Sequence, residues 1–253
     1  MTTKTLDLSV RGALWLLFFA TIIYAWVTLF MMARMSGLDL IGVPQRMNMM
    51  PMERYGTLFG MWSIMMAAMM LPTLVPTLST YDSLIKSADG TRFGWLGVAI
   101  GYFLVWVGGA AIFAGAQFAL LQAGLVNSLG IPTSVWLSVG LLLAVGFYQF
   151  TWLKEVCHGV CHTPMQYFLG NWRGGFLGGA RMGMGLGVFC LGCCWGFMAL
   201  GFVGGTMSLL WMGLATLVMI IEKVPAIGHR VTRPIGVVLI VAGLGLAVWQ
   251  LVA

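Results

Sequence analysis

Residues 94–122 read GWLGVAIGYFLVWVGGAAIFAGAQFALLQ, an apolar run that contains no charged side chain. About twenty apolar residues are enough for a helix to cross roughly 30 Å of hydrocarbon, at about 1.5 Å per residue. Lipid offers the backbone no hydrogen-bond partner, and the run lacks the alternating pattern of a barrel strand. The run therefore predicts a transmembrane helix over residues 94–122.

Similar apolar runs extend this prediction to the rest of the chain. The predicted helices lie near residues 12–33, 57–78, 94–122, 133–153, 182–203, 207–221 and 235–252. Apolar residues make up 60% of the chain and charged residues only 8%, which is unlike the composition of soluble folds. No internal repeat and no long linker divides the sequence. We therefore expect an all-α fold, a polytopic transmembrane bundle of about seven helices that forms a single domain over residues 1–253.

Basic residues predict the orientation of this bundle. With the N-terminus inside, the outer side carries only Arg34, Arg46 and Arg54, and the cytoplasmic segments carry Lys4, Arg11, Lys86, Arg92, Lys154, Arg173, Arg181, Lys223, Arg230 and Arg233. Such an excess is typical of cytoplasmic loops. We therefore expect a multi-pass protein of the bacterial cytoplasmic (inner) membrane with a cytoplasmic N-terminus. The net charge of +6 then reflects topology and the lipid bilayer, and no nucleic-acid partner is expected.

Methionine is concentrated in one part of the chain, residues 31–70. This segment holds twelve of the 20 methionines: Met31, Met32, Met35, Met47, Met49, Met50, Met52, Met61, Met65, Met66, Met69 and Met70. Thioethers are soft, uncharged ligands that suit Cu(I) better than zinc or magnesium. Methionine is also a flexible packing residue in apolar cores. The enrichment alone leaves copper binding and packing open.

Two groups of these methionines are candidate ligands. The first lies in the Pro-interrupted loop between the first two helices, predicted to face outside, and consists of Met47, Met49, Met50 and Met52. Packing within a helix does not explain methionines in a loop, so copper capture is favoured there. The second group shares one broad face of the second helix and consists of Met65, Met66, Met69 and Met70. That face is either a set of ligands or an ordinary helix contact.

The fifth predicted helix carries a concentrated soft-ligand stripe over residues 187–198, GVFCLGCCWGFM. Cys190 and Cys194 are one helical turn apart, Cys193 lies beside them, and Met198 follows one turn later. Nearby glycines allow a neighbouring helix to approach closely, so the stripe is expected to face protein. Together with the methionine face of the second helix it could enclose one Cu(I). The alternative is that these cysteines are small apolar packing residues.

A third candidate cluster follows the fourth predicted helix, in residues 154–164, KEVCHGVCHTP. If the helix continues, thiols and imidazoles lie on adjacent faces, which suits Zn(II) or copper. Haem attachment and a disulfide are disfavoured, because the positive-inside pattern puts this segment in the reducing cytoplasm. The candidate ligands, with zinc as a possible metal, are Cys157, His158, Cys161 and His162.

Three blocks of sequence resemble a known family. They are residues 62–72 with a Met-Met-Ala-Ala-Met-Met core, Tyr148-Gln149 followed by Lys154, Cys157, Cys161 and Pro164, and Cys-Leu-Gly-Cys-Cys-Trp at 190–195 leading to Met198, Gly205, Met207, Trp211, Glu222 and Lys223. On these blocks the chain resembles the bacterial predicted metal-binding integral membrane proteins, a family of uncharacterised function. The resemblance implies a multi-helix membrane fold with a metal site. The family pattern has Arg at position 162, so a ligand role for His158 and His162 would belong to this sequence alone.

Few acidic residues are available for hydrolytic chemistry, and none lies at the middle of a predicted span. No catalytic triad and no nucleotide-binding loop is recognisable, and no catalytic residue is predicted. Glu222 and Lys223, at a helix end, are interpreted as an interfacial anchor or an ion pair.

Two functions from different classes remain. The first is a copper-handling membrane protein, in which the outer methionine loop captures Cu(I) for transport or delivery through ligands between the helices. The second is a metal-containing membrane subunit of a larger oxidoreductase or monooxygenase, with other membrane or periplasmic subunits as partners. A third interpretation, in which the sulfur residues merely pack in an assembly subunit, remains open.

Overall fold

The computed structural model describes residues 3–37, 53–85, 87–88, 90–224 and 228–252. In this part of the chain the regular structure is helical and no β-strand forms. The helices are α1 (Thr3–Met35), α2 (Tyr55–Leu84), α3 (Arg92–Gln122), α4 (Val135–Tyr148), α5 (Trp152–His162), α6 (Pro164–Asn171), α7 (Gly175–Ala199), the single turn α8 (Gly201–Gly204), α9 (Leu209–Glu222) and α10 (Gly228–Val252). The all-α prediction is confirmed.

Several helices are compatible with membrane insertion. Those long and apolar enough to cross a bilayer are Leu8–Met35, Tyr55–Leu84, Arg92–Gln122, Gly175–Gly204 and Arg230–Val252. A sixth candidate span exists if α4 and α5, which are bent by 65° with respect to each other, count as one. The seven predicted spans are not confirmed among the described residues, because α9 has 14 residues and rises only about 21 Å.

Where the sequence predicted a loop after the fourth helix, the chain bends and continues as the packed helix α5. Thr151 caps α5 by accepting a hydrogen bond from the backbone N–H of Lys154, and the helix that follows contacts α7. The side chain of Lys154 is only 1% exposed, and Lys223 is buried as well. Two of the basic residues counted for orientation therefore lie inside the protein.

Glycines let α3 and α7 pack closely. A Cβ atom on Gly101 of α3 would overlap the carbonyl oxygen of Ala180 in α7, and one on Gly183 of α7 would overlap the carbonyl oxygen of Val98 in α3. Small residues at such crossings bring helix backbones together, which is common in membrane bundles. This contact fixes the position of α7, which carries the cysteine stripe.

The Gly101→Ala substitution is expected to destabilise the bundle by about 1–3 kcal/mol, the usual cost of overpacking. Gly108→Ala is the matched control, because a Cβ atom there meets nothing within 4 Å and both glycines lie in α3. Alanine favours helix over glycine by about 1 kcal/mol, so the control should be neutral or stabilising. The measurement is thermal unfolding in mild detergent. Equal midpoints for the two variants would contradict the close contact.

Candidate metal centre

Four buried cysteines meet where α5 packs against α7. Cys190, Cys193 and Cys194 project from α7, and Cys161 projects from the last turn of α5. The Sγ of Cys193 lies 3.2 Å from that of Cys194 and 3.8 Å from that of Cys161. The Sγ atoms of Cys190 and Cys194 are 4.0 Å apart. We call these four residues the cysteine cluster.

Three members of the cysteine cluster have the geometry of a metal site. The sulfur atoms of Cys161, Cys190 and Cys193 all lie within 4.8 Å of one another. All five cysteines of the chain are free thiols. Thiolates are soft ligands that select copper(I), zinc and iron–sulfur clusters. The donor set therefore fits a soft metal ion, with ligands supplied by two helices.

A buried ammonium group lies beside this cluster. Lys223 Nζ is 3.1 Å from Cys190 Sγ and donates a hydrogen bond to Thr73 Oγ1 at 2.8 Å. The hydroxyl of Tyr102 is 2.9 Å from the same sulfur. A neighbouring cation stabilises the thiolate, the form of cysteine that binds metals. The earlier interpretation of Lys223 as an interfacial anchor is therefore wrong, because the residue is 8% exposed and points at Cys190.

Glu222 has a different partner from its neighbour Lys223. Its Oε2 accepts a hydrogen bond from Lys154 Nζ at 2.9 Å, and both residues are 1% exposed. Lys154 Nζ also donates to the backbone carbonyl of Cys193 at 2.7 Å, and His158 Nε2 lies 2.7 Å from the carbonyl of Glu222. This network joins α5, α7 and α9 next to the cysteine cluster.

The four residues predicted as a possible zinc site do not form one group. Cys161 turns towards Cys193, whereas Cys157 packs against Gly192, where a Cβ atom would lie 2.7 Å from its sulfur. His158 faces the backbone of α9, and its ring centroid is 5.2 Å from that of His162. Among the described residues, the three-ligand group is the one around Cys161, so the zinc prediction gains no support.

The methionine candidates fall into two groups. Those on α2 and α7 are buried in the core, which agrees with both packing and ligation: Met65, Met66, Met69, Met70 and Met198. Those of the predicted outer loop lie outside the described residues: Met47, Met49, Met50 and Met52. The structure thus leaves the loop hypothesis as a prediction.

The polar neighbours of the sulfur atoms were not predicted as part of the site, although Lys154, Glu222 and Lys223 belong to the blocks that resemble the metal-binding family. Lys154 and Lys223 carried a usable signal, because a charged residue within or beside an apolar helix is costly and commonly functional. Thr73 and Tyr102 carried none, since a single hydroxyl in an apolar helix is ordinary. The packing of α2 against α3 places Thr73 beside Tyr102, and the hydroxyl of Tyr102 lies next to Cys190.

Comparison with known proteins agrees with this centre. A family model described as PpoB2, copper chaperone, matches residues 59–246. This range contains the cysteine cluster and its polar neighbours. No curated protein and no solved structure matches the chain. The family match and the cysteine cluster together support copper-related metal binding, and neither supports a subunit of an oxidoreductase.

Proposed function

Because this chain belongs to the copper chaperone family, we propose that it is a membrane-embedded chaperone that holds Cu(I) on its cysteine cluster and delivers it to an acceptor protein. The observation that carries the proposal is the meeting of the buried residues Cys161, Cys190 and Cys193, whose sulfur atoms lie within 4.8 Å of one another between the helices. Copper is here the cargo of the protein.

The donor set favours Cu(I) for two reasons. The sulfur atoms that all lie within 4.8 Å of one another are three, and an all-sulfur set of this size suits Cu(I), whereas structural zinc requires four ligands in a tetrahedron. Charge is the second reason. Two thiolates that bind one monovalent ion carry one net negative charge, and the ammonium of Lys223, 3.1 Å from Cys190 Sγ, compensates it. A complex that is neutral overall is the least costly one to bury.

Delivery requires that the metal change ligands without becoming free. Cys194 supplies a further sulfur 3.2 Å from that of Cys193, so a bound ion can exchange one thiolate for the next. The loop methionines Met47, Met49, Met50 and Met52 are proposed as the capture site on the outer side, in agreement with the predicted orientation.

Anaerobic titration of the full chain in mild detergent tests this function. With a competing chelator, we expect roughly one tightly bound Cu(I) per chain, because the sulfur cluster offers a single soft site. Zn(II) at equal concentration should not displace it. Full displacement by Zn(II), or the absence of tight Cu(I) binding, would contradict the proposal.

A further inference from the structure

A second set of buried methionines lies on α9 and in the turn before it. Met207, Met212 and Met219 are each at most 3% exposed. None of them was among the ligands predicted from the sequence, although Met207 belongs to one of the blocks that resemble the metal-binding family.

The start of α9 lies at the end of the bundle where α1 and α3 finish. The hydroxyl of Ser36, just after α1, donates a hydrogen bond to Met207 Sδ at 3.5 Å. The hydroxyl of Thr206 donates to the carbonyl of Leu129, which follows α3, at 2.9 Å. Helix α2 begins at the same end, since Trp62 in its second turn donates to Gln117 near the end of α3.

From this common end, α2 and α9 both lead to the cysteine cluster. The two helices contact each other, and Lys223, directly after α9, reaches Thr73 of α2 and Cys190 of α7. Met219 precedes Lys223 by one helical turn, and Met69 precedes Thr73 by one turn. Each helix therefore carries buried thioethers from the end of the bundle to the immediate neighbourhood of Cys190.

The spacing of its methionines shows that α9 is not a sufficient route by itself. Along α9, the step from Met212 to Met219 is about 10.5 Å, too long for an ion to pass directly between sulfurs, and Met207 lies five residues before Met212, in the turn that precedes the helix. On α2, consecutive methionines from residue 61 to residue 70 are at most about 6 Å apart along the axis. Helices in contact can alternate their ligands and shorten every step.

We propose that Met207, Met212 and Met219, together with the buried methionines of α2, form a thioether-lined route that carries Cu(I) from this end of the bundle to Cys190. The inference rests on the proposed function and adds a path to it. Thioethers bind Cu(I) weakly and without releasing a proton, so an ion moves along them and stops at the thiolates, which bind it more strongly.

The test measures two quantities separately: the rate at which Cu(I) reaches the cysteine cluster, and the equilibrium affinity of the cluster for Cu(I). Met212→Leu/Met219→Leu removes two thioethers and keeps the apolar volume. Met182→Leu is the matched control, a buried methionine of α7 that lies two turns from Cys190 on the other side of the cluster. Cu(I) is supplied as a weak chelate, loading is followed by anaerobic stopped flow, and equilibrium affinity is measured by chelator competition.

We expect the double variant to load copper at least about tenfold more slowly than the parent chain, because each lost thioether removes a ligand from a step of the route. A tenfold change corresponds to a barrier about 1.4 kcal/mol higher. Its equilibrium affinity and that of the Met182→Leu chain should equal the parent value. Equal loading rates in the two variants would overturn the route. Absence of tight binding in the parent chain would overturn the proposed function instead. Thermal unfolding midpoints show whether the double variant is misfolded. If it is, the loading rate of the single variant Met219→Leu is compared with that of Met182→Leu, and equal rates again overturn the route.

Discussion

Replacing Cys161, Cys190, Cys193 and Cys194 together by Ser is expected to abolish tight copper binding while the helical fold persists. A hydroxyl is a hard, poor ligand for Cu(I), so affinity should fall by roughly 1,000-fold or more. Serine occupies nearly the same volume as cysteine, which leaves the packing between α5 and α7 in place. The measurements are copper content after purification, chelator competition and circular dichroism in detergent.

Cys157→Ser is the matched control for this experiment. Cys157 is buried on the same helix as Cys161, but its sulfur packs against Gly192 and is not part of the three-sulfur group. We therefore expect the control to keep its copper. Copper retained in full by the quadruple variant would show that the cysteine cluster is a packing feature.

Lys154→Met is expected to destabilise the protein by about 3–5 kcal/mol, because it leaves the carboxylate of Glu222 buried without a partner. The same change also removes the hydrogen bond that Lys154 donates to the carbonyl of Cys193. Adding Glu222→Gln removes the uncompensated charge, so the double variant should recover much of the lost stability. Denaturant unfolding in detergent measures both.

Arg11→Met is the control for a general effect of losing a cation. Arg11 pairs with Asp82 at 2.6 Å, but its side chain is 51% exposed, and Asp82 keeps Arg92 as a second partner. Because the arginine is half exposed and Arg92 still compensates the buried carboxylate of Asp82, we expect this loss to cost only about 0–1 kcal/mol, as for surface pairs. If Lys154→Met cost no more than Arg11→Met, the buried pair would not hold α5 and α9 together.

The fold was predictable where hydrophobicity alone decides it. The apolar run at 94–122 becomes α3, and the runs around α1, α2, α7 and α10 are equally clear. The bend at Thr151 was not predicted, because no proline or glycine lies at residues 149–152 and the capping role of Thr151 is visible only in the structure. Composition likewise could not show that α9 ends inside the bundle, where Lys223 finds Thr73 and Cys190.

The sequence predicted which cysteines take part in the site, but it did not predict which of them group together. One-turn spacing brought Cys190 and Cys194 to one face of α7, as expected. The same spacing placed Cys157 and Cys161 together on α5, yet the crossing of α5 and α7 brings only Cys161 to the other thiols. Whether Cys157 or Cys161 reaches the cysteines of α7 depends on the axial offset between α5 and α7. This offset cannot be read from a single sequence.

The assembly of the centre from α5, α7 and the end of α9 has a consequence for biosynthesis. Cys161 is translated long before Lys223, so a growing chain possesses thiols before it possesses the ammonium that compensates a bound thiolate complex. The complete centre exists only after the ribosome has passed residue 223 and the end of α9 has packed beside α7. On the proposed function, copper held by the cysteine cluster bridges α5 and α7, and at a free concentration of about 1,000 Kd it would stabilise the finished protein by about 4.1 kcal/mol. Metal occupancy would thereby distinguish completed molecules from truncated ones.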